Sequence, residues 1–262
     1  YGLPAEIEEI KKYAKKKNII LIEDCAQALG SSIDNKKVGI FGDISVFSFH
    51  SNKIITTLGE GGMLMVNNQK FNKNIKSLSH NGVAKYNNKD YWKPAMTKII
   101  KFEKDIYPYN FCIGEPQCLI GSLLIKRIDS LNNIRISRAK TFISKLKPFD
   151  ELIFQKEIKG YKNVYHCLVA YFNGYKALEK KDIFFKIMSK KYKIKVIVQN
   201  FPLHKYELFK HFKPINSLQN TDNFFSKMVS WPFYTYMSKK DFDYMLSSTV
   251  NTLVEIREIF GN

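Results

Sequence analysis

The chain has 262 residues, 45% of them apolar, which is enough to bury the core of one large or two smaller domains. Its 42 Lys and Arg residues exceed its 24 Asp and Glu residues, for a net charge of +18. Because the lysines are spread along the chain, we interpret them as solvated helix faces and rank a nucleic-acid footprint last among our interpretations.

Cysteine spacing and hydropathy indicate whether the chain is a zinc, disulfide-bonded, membrane or exported protein. The four cysteines show no CxxC spacing, so neither a zinc site nor a disulfide framework is indicated, and a reducing cytoplasm fits. No apolar run reaches the roughly 20 residues that cross a bilayer, and no export signal opens the chain. We therefore expect a cytoplasmic protein without metal, nucleic acid or membrane as a partner.

The first part of the chain alternates helix and strand patterns. Apolar residues recur at helical spacing over 4–17, and the apolar run at 18–24 is typical of a buried parallel strand that ends in two carboxylates. Strands are also predicted at 44–49 and 63–66, on either side of a GEGG turn, and a helix at 71–78. This alternation predicts an α/β fold with a mostly parallel sheet flanked by helices.

The middle of the chain predicts a domain boundary. Residues 81–109 are polar, aromatic and without periodicity, which is typical of a long excursion that carries function. A helical stretch follows at 115–146, and we place the boundary inside it. The sequence thus predicts a large domain over 1–128 and a small α/β domain over 129–262.

The small domain has its own alternation of patterns. Strands are predicted at 164–171 and 194–198, with a helix at 181–191 between them. Further helices are predicted beyond Asp222 and beyond Lys239. This pattern predicts a compact α/β unit.

A carboxylate and a lysine are the leading candidates for chemistry. Ligands of open α/β sheets collect at the carboxyl ends of strands, where Asp24 lies. A carboxylate beside buried aliphatic residues needs a cation or several hydrogen-bond donors, and the protonated ring nitrogen of pyridoxal 5′-phosphate (PLP) is one such cation, although helix caps and ion pairs also use such residues. Lys53 follows the strand end at Phe49, with Ser48 before it and GEGG after it. A strand-end loop suits a Schiff-base lysine, which must be partly desolvated.

Several motifs lie in one order and spacing along nearly the whole chain. They are EDCAQALG at 23–30, GD at 42–43, FSF at 47–49 leading to Lys53, GEGG at 59–62, SHNG at 79–82, YPYNF at 107–111, PLH at 202–204 and SWPF at 230–233. This series resembles the signature of the DegT/DnrJ/EryC1/StrS sugar aminotransferase family. The resemblance implies the PLP-dependent transferase fold type I, with a large domain and a small one.

The resemblance also implies roles for individual residues. Asp24 would pair with the pyridine nitrogen, Gln27 would hydrogen-bond near the 3-oxygen of the ring, Ser48 would bind the phosphate, and Lys53 would form the Schiff base. Asn110 would reach the phosphate of the cofactor in a neighbouring subunit, which implies a homodimer with shared active sites. Structural alternatives stay open: Gln27 as a helix-surface residue, Ser48 as a strand-end cap and Asn110 as a turn former.

Histidines are weighed in the same way. His204 falls in the PLH motif, which in the family lies near the substrate pocket, so it is a candidate substrate contact or a structural residue. His50 neighbours the Lys53 loop and His80 begins the excursion. His166 is expected in a core strand, and His211 at the surface.

The implied reaction is transfer of an amino group from glutamate or glutamine to a keto sugar nucleotide, for surface polysaccharide or glycan biosynthesis. Relatives with histidine in place of the Schiff-base lysine act as sugar dehydratases, so Lys53 favours transamination. Two departures favour an alternative, a truncated or inactive paralogue. Many relatives have a basic residue where Cys112 stands, and the family's N-terminal segment, with its phosphate loop and ring-stacking aromatic residue, has no counterpart in this sequence.

Overall fold

The computed structural model describes residues 1–82, 107–212 and 216–261. Its chain divides into two compact units, and we treat each by itself. The N-terminal unit is Pro4–Ile128, and the C-terminal unit combines Tyr1–Leu3 with Asp129–Asn262. Most of the predicted excursion at 81–109 lies outside the described residues. Within the described ranges, no helix is both long enough and apolar enough to cross a membrane.

Among its described residues, the N-terminal unit contains a small sheet, a hairpin and three helices. The helices are α1 (Ile7–Lys16), α2 (Gln69–Leu78) and α3 (Glu115–Ile125), and the strands are β1 (Ile22–Asp24), β2 (Ser32–Ile33), β3 (Lys36–Lys37), β4 (Ile44–Ser48) and β5 (Gly62–Val66). The helix α1 has acidic residues in its first turn and lysines in its last, which complements the helix dipole. The helices predicted at 4–17 and 71–78 and the strands predicted at 44–49 and 63–66 are confirmed, with boundaries that differ by at most three residues.

The sheet of the N-terminal unit has the strand order β1-β4-β5. The strands β1 and β4 run parallel with Asp24 beside Val46, and β4 and β5 run antiparallel with Ser48 beside Gly62. The antiparallel pairing follows from the chain's return through the GEGG turn, which leaves no room for a crossover helix. The two strands that carry Asp24 and Ser48 therefore end at the same edge.

One face of this sheet is apolar and exposed, which corrects the prediction of a buried strand at 18–24. Strand β1 begins only at Ile22, which is 59% exposed, and Ile20 before it is 55% exposed. Val46 and Leu64 stand on the same face as Ile22 and are also exposed. The buried residue of β1 is Glu23. An apolar run alone did not reveal which face of the strand is covered.

The hairpin β2–β3 is made by its two central residues. Asp34 and Asn35 both have positive φ, 45° and 65°, which is the conformation of a type I′ turn. Asp and Asn tolerate that region better than other side chains do. The hairpin leads directly into the loop before β4.

In the part that the structure describes, the C-terminal unit has an antiparallel sheet and four helices. The helices are α4 (Ile128–Leu146), α5 (Ala177–Lys190), α6 (Gln219–Lys227) and α7 (Lys239–Phe260), with short 3₁₀ turns at Leu203–Lys205 and Glu207–Phe209, and the strands are β6 (Leu152–Phe154), β7 (Tyr161–Lys162), β8 (Leu168–Phe172) and β9 (Met228–Trp231). The sheet order is β6-β8-β9, with both pairs antiparallel. The single helical stretch predicted at 115–146 is in fact two helices, α3 and α4.

The core of the C-terminal unit is aromatic. Trp231 is 3% exposed, and the ring centroids of Phe142, Phe154 and Phe184 lie 5.1, 5.9 and 5.9 Å from its own. The indole Nε1 donates to the Thr249 hydroxyl at 3.1 Å, so its polar group is satisfied inside the core. Trp231 therefore fastens the sheet to α4, α5 and α7.

A buried arginine fixes two loops of the C-terminal unit. The Arg135 guanidinium donates to the carbonyl oxygens of Tyr165 and His166 at 2.6 Å, and to that of Phe233 at 3.3 Å. Burial lowers the pKa of Arg135 to about 10. His166 lies in a bend before β8, so the prediction of a core strand at this histidine was wrong.

The strand predicted at 194–198 was wrong. The Val196 amide donates to the Ile194 carbonyl two residues back, at 3.2 Å, so the chain turns there. Only Ile197 pairs with the sheet, through an isolated bridge to Ser230. The β-branched residues that suggested a strand pack around this bend instead, with Val196 buried in the core.

Candidate functional site

The carboxyl ends of β1 and β4 bring two predicted site residues to one edge of the sheet. Asp24 lies beside Val46, and Ser48 is two residues further along β4, so the two side chains stand on the same face, with Ser48 roughly 7 Å beyond Val46. Asp24 is exposed, and its Oδ1 accepts a hydrogen bond from the Ala26 amide at 3.0 Å. This edge therefore presents a carboxylate and a hydroxyl to the same side.

Gln27 lies in the turn that follows β1. The Ala28 amide donates to the Cys25 carbonyl at 3.0 Å, which closes a turn around Ala26 and Gln27. Gln27 is half-buried there, so its interpretation as a helix-surface residue was wrong. The turn keeps Gln27 at the edge of the sheet where β1 ends.

Lys53 lies in the middle of a closed loop, residues 49–57, which we call the lysine arc. The arc begins directly after Ser48, and the Lys53 amide donates to the His50 carbonyl at 2.9 Å. Its side chain is half-buried, and no carboxylate of the described residues forms an ion pair with it. Ile54 and Ile55 next to it are buried, which holds the arc against the unit.

The GEGG turn closes the lysine arc from the other side. The Phe49 amide donates to the Gly61 carbonyl at 2.8 Å and the Ser51 amide to the Gly59 carbonyl at 2.6 Å. His50 contributes to the same closure, because its Nδ1 accepts from the Asn52 amide at 3.1 Å and its Nε2 lies 3.5 Å from the Glu60 carboxylate. The order of motifs in the sequence thus corresponds to one hydrogen-bonded structure.

A buried carboxylate that the sequence interpretation missed holds the loop before β4. Glu23 is 5% exposed and accepts from the backbone amides of Gly39, Phe41 and Gly42 at 2.9, 2.6 and 2.6 Å. Burial, together with the neighbouring Glu23 charge, raises the pKa of the Cys25 thiol to about 12, so the thiol stays protonated. The available signal was the glycine-rich loop at 39–42, whose amides needed an acceptor.

Asp43 fixes the start of β4 in a similar way. Its carboxylate accepts from the Leu21 amide at 2.9 Å and from the Asn68 side chain at 2.8 Å. The first of these bonds, followed by the second, lowers the pKa of Asp43. The GD motif therefore aligns β1 with β4 and α2.

Asn110 is held in a pairing between two motifs that are distant in sequence. It forms an isolated bridge with His80, while the Phe111 amide donates to the Ser79 carbonyl at 2.9 Å. The Asn110 Oδ1 accepts from the Cys112 amide at 3.3 Å, and both residues are exposed. Asn110 thus makes a local turn and stands at the surface of the N-terminal unit.

His204 lies in the C-terminal unit, in a 3₁₀ turn. Its Nε2 is 2.9 Å from the Asp222 carboxylate, and the Lys205 ammonium is 3.0 Å from the same oxygen. The hydrogen bond from Lys205 is the main cause of the lowered pKa of Asp222, and that from His204 adds to it. His204 is half-buried and has a carboxylate partner. His211 is exposed, as predicted.

Solved structures on which this chain superposes include aminotransferases. Helicobacter pylori PseC, an aminotransferase involved in the biosynthesis of pseudoaminic acid, superposes with a TM-score of 0.84 at 24% identity over 96% of this chain and 64% of its own. Spr1654 from Streptococcus pneumoniae, in its PLP form, superposes with a TM-score of 0.75 at 20% identity over 95% of this chain and 63% of its own. The α/β fold is therefore that of the fold type I PLP-dependent transferases, as predicted.

Sequence comparison gives the family. Residues 1–249 match the DegT/DnrJ/EryC1/StrS aminotransferase family, and the chain belongs to it. A UDP-4-amino-4,6-dideoxy-N-acetyl-beta-L-altrosamine transaminase of Campylobacter jejuni (serotype O:23/36, strain 81-176) is 30% identical over 98% of this chain and 65% of its own length. The chain thus spans slightly under two thirds of the length of this relative.

Proposed function

We propose that the protein is a PLP-dependent aminotransferase that moves an amino group from glutamate or glutamine to a keto sugar nucleotide, for surface polysaccharide or glycan biosynthesis. The observation that carries the proposal is the shared sheet edge: Asp24 and Ser48 end neighbouring strands on one face, and the lysine arc starts directly after Ser48. Family membership supports it.

The residues at this edge fit pyridoxal 5′-phosphate. Asp24 offers an exposed carboxylate to the ring nitrogen, Ser48 a hydroxyl to the phosphate, and Lys53 an amine that no described carboxylate engages. The half-buried turn position of Gln27 suits a hydrogen bond near the 3-oxygen of the ring. An acid, an amine and hydroxyl or amide groups are the set of side chains that this cofactor needs.

When bound, PLP supplies an electron sink for the negative charge that develops at the substrate carbon. The Asp24 carboxylate favours the protonated ring nitrogen, because an opposite charge in contact stabilises the charged form. The Lys53 Nζ would be the point of covalent attachment and, once released, would be the base that accepts a proton from the substrate carbon. The closed arc would limit the positions that Nζ can take, and ping-pong kinetics would follow because both substrates use the same site in turn.

The proposal includes partners and domain roles. Residues 1–128 would be the cofactor-binding large domain and 129–262 the small domain. A homodimer would share its active sites, with Asn110 reaching the phosphate in the neighbouring subunit and Cys112 giving less help with anions than a basic residue would. His204 would contact substrate through its ring. A cytoplasmic location is part of the proposal, since the Cys25 thiol stays reduced there.

Borohydride reduction in the presence of PLP tests the proposal. We expect the wild-type chain to gain one stable pyridoxyl group, which peptide mass spectrometry locates on Lys53. Lys53→Ala should lose this group and lower any transaminase activity by about 10³-fold or more. Lys70→Ala, which changes an exposed lysine of α2, is the matched control and should behave as wild type. Labelling of other lysines in place of Lys53, or none, contradicts the proposal.

A further inference from the structure

The lysine arc is tied together at its two ends by a backbone hydrogen bond. The Thr57 amide donates to the Phe49 carbonyl at 3.1 Å, and Lys53 lies midway between these two residues in sequence. A loop with joined ends has far fewer conformations than an open loop of the same length. The Cα position of Lys53 therefore depends on what holds Thr57 in place.

The Thr57 side chain is 2% exposed and is held from two directions. Its Oγ1 donates to the Glu60 carbonyl at 3.0 Å, which ties the arc to the GEGG turn. A Cβ added at Gly61 would overlap that hydroxyl, and a Cβ added at Gly121 would lie 3.0 Å from the Thr57 methyl group. Thr57 thus fills a space between the turn and α3 that exists because both neighbours are glycines.

We propose that Thr57 is a positioning residue for Lys53, an inference that rests on the proposed function of Lys53. The hydroxyl fixes Thr57 against Glu60, the amide fixes it against Phe49, and the methyl group packs on α3. These contacts set where the arc emerges from the unit and hence where the Lys53 amine points. Thr57 acts through the arc and has no contact with substrate in this role.

The hydroxyl and the methyl group have separable effects. Thr57→Val keeps the shape of the side chain but removes the hydroxyl that donates to the Glu60 carbonyl, which costs about 1 kcal/mol and corresponds to about fivefold more frequent opening of the arc. Thr57→Ser keeps the donor and removes only the methyl group. If positioning depends on the hydroxyl, Ser rescues what Val loses.

The first measurement is amide hydrogen exchange without PLP. We expect exchange of the peptide over 49–57 to be about fivefold faster in Thr57→Val and within about twofold of wild type in Thr57→Ser. Exchange of the β9 peptide, in the other unit, serves as the internal reference and should not change. Unchanged exchange of the arc in Thr57→Val would overturn the inference.

The second measurement is the pH profile of borohydride trapping of PLP on Lys53. We expect Thr57→Val to trap less at every pH and to shift the profile, because a mobile amine has different surroundings, while Thr57→Ser follows wild type. An arc that opens in Thr57→Val with an unchanged profile overturns positioning and makes Thr57 a structural residue only. Failure of the wild-type chain to trap PLP overturns the proposed function itself, so the two failures are distinguishable.

Discussion

The two units hold their elements in place by different means. In the C-terminal unit, β9 is buried along its whole length in an aromatic cluster around Trp231. In the N-terminal unit, β1 and β5 are largely exposed, and the loops between strands are shaped by hydrogen bonds to Glu23 and Asp43. One unit relies on apolar packing, and the other on directional bonds to buried or half-buried carboxylates.

This difference places the candidate site in the unit that is held by directional bonds. Apolar cores tolerate small shifts of their side chains, whereas a hydrogen bond to a carboxylate fixes a loop within a narrow range of distance and angle. Asp24 and Ser48 lie on strands whose neighbouring loops are fixed in this way, and the lysine arc is closed by backbone hydrogen bonds. A site that must hold a cofactor benefits from such support more than from additional buried area.

The largest expected effect is in the aromatic core. Trp231→Ala should lower the free energy of unfolding by about 3–5 kcal/mol, because it leaves a large cavity and removes the indole donor to the Thr249 hydroxyl. Urea denaturation measures the loss, and Tyr236→Ala, at a residue that is 69% exposed, is the control. A loss for Trp231→Ala no larger than that of the control would show that packing does not dominate this unit.

Substitutions at the two adjacent carboxylates of β1 should affect different properties, one stability and the other cofactor binding. Glu23→Gln should cost about 2–3 kcal/mol, because three backbone amides lose a charged acceptor. Asp24→Asn should stay within about 0.5 kcal/mol of wild type in urea denaturation, since Asp24 is exposed, but should weaken PLP binding followed by absorbance. The reverse pattern would mean that we have exchanged the roles of the two residues.

Two glycines with positive φ compare the units directly. Gly39 has a φ of 100°, and a Cβ there would overlap the Phe47 ring, so Gly39→Ala should cost about 2 kcal/mol or more. Gly174 has a φ of 80° with nothing within 4 Å of an added Cβ, so Gly174→Ala should cost only about 1 kcal/mol from the backbone. Equal losses in thermal or urea unfolding would argue against tight packing at Gly39.

The smallest expected effect is a pH dependence from Asp43. Since its pKa is lowered in the folded chain, Asp43 contributes stability above its unfolded pKa of about 3.9, and this stability is lost as the pH falls through the lowered value. The urea midpoint of wild type should therefore fall slightly more between pH 6 and pH 2 than that of Asp43→Asn. Identical pH profiles would show that Asp43 does not contribute to the pH dependence of stability.

The sequence was enough to predict most helices and strands and the family, but not which faces of the strands are buried. Apolar runs and turn residues predicted the strands that carry Asp24 and Ser48, because both are local signals. The exposure of Ile22, the role of Glu23 and the bend at 194–198 depend on contacts between distant segments. The pairing of Asn110 with His80 is of the same kind, and motif spacing carries no information on it.

The adjacent carboxylates of β1, Glu23 and Asp24, fix the register in which β1 pairs with β4. If β1 shifted along β4 by a single residue, every side chain of β1 would move to the opposite face of the sheet. Glu23 would then be exposed to water, and Asp24 would be forced against the glycine loop at 39–42. Such a misassembled sheet would lose its anchor and its candidate cofactor ligand together. Chains that fold stably in this region therefore also carry Asp24 on the face that it shares with Ser48.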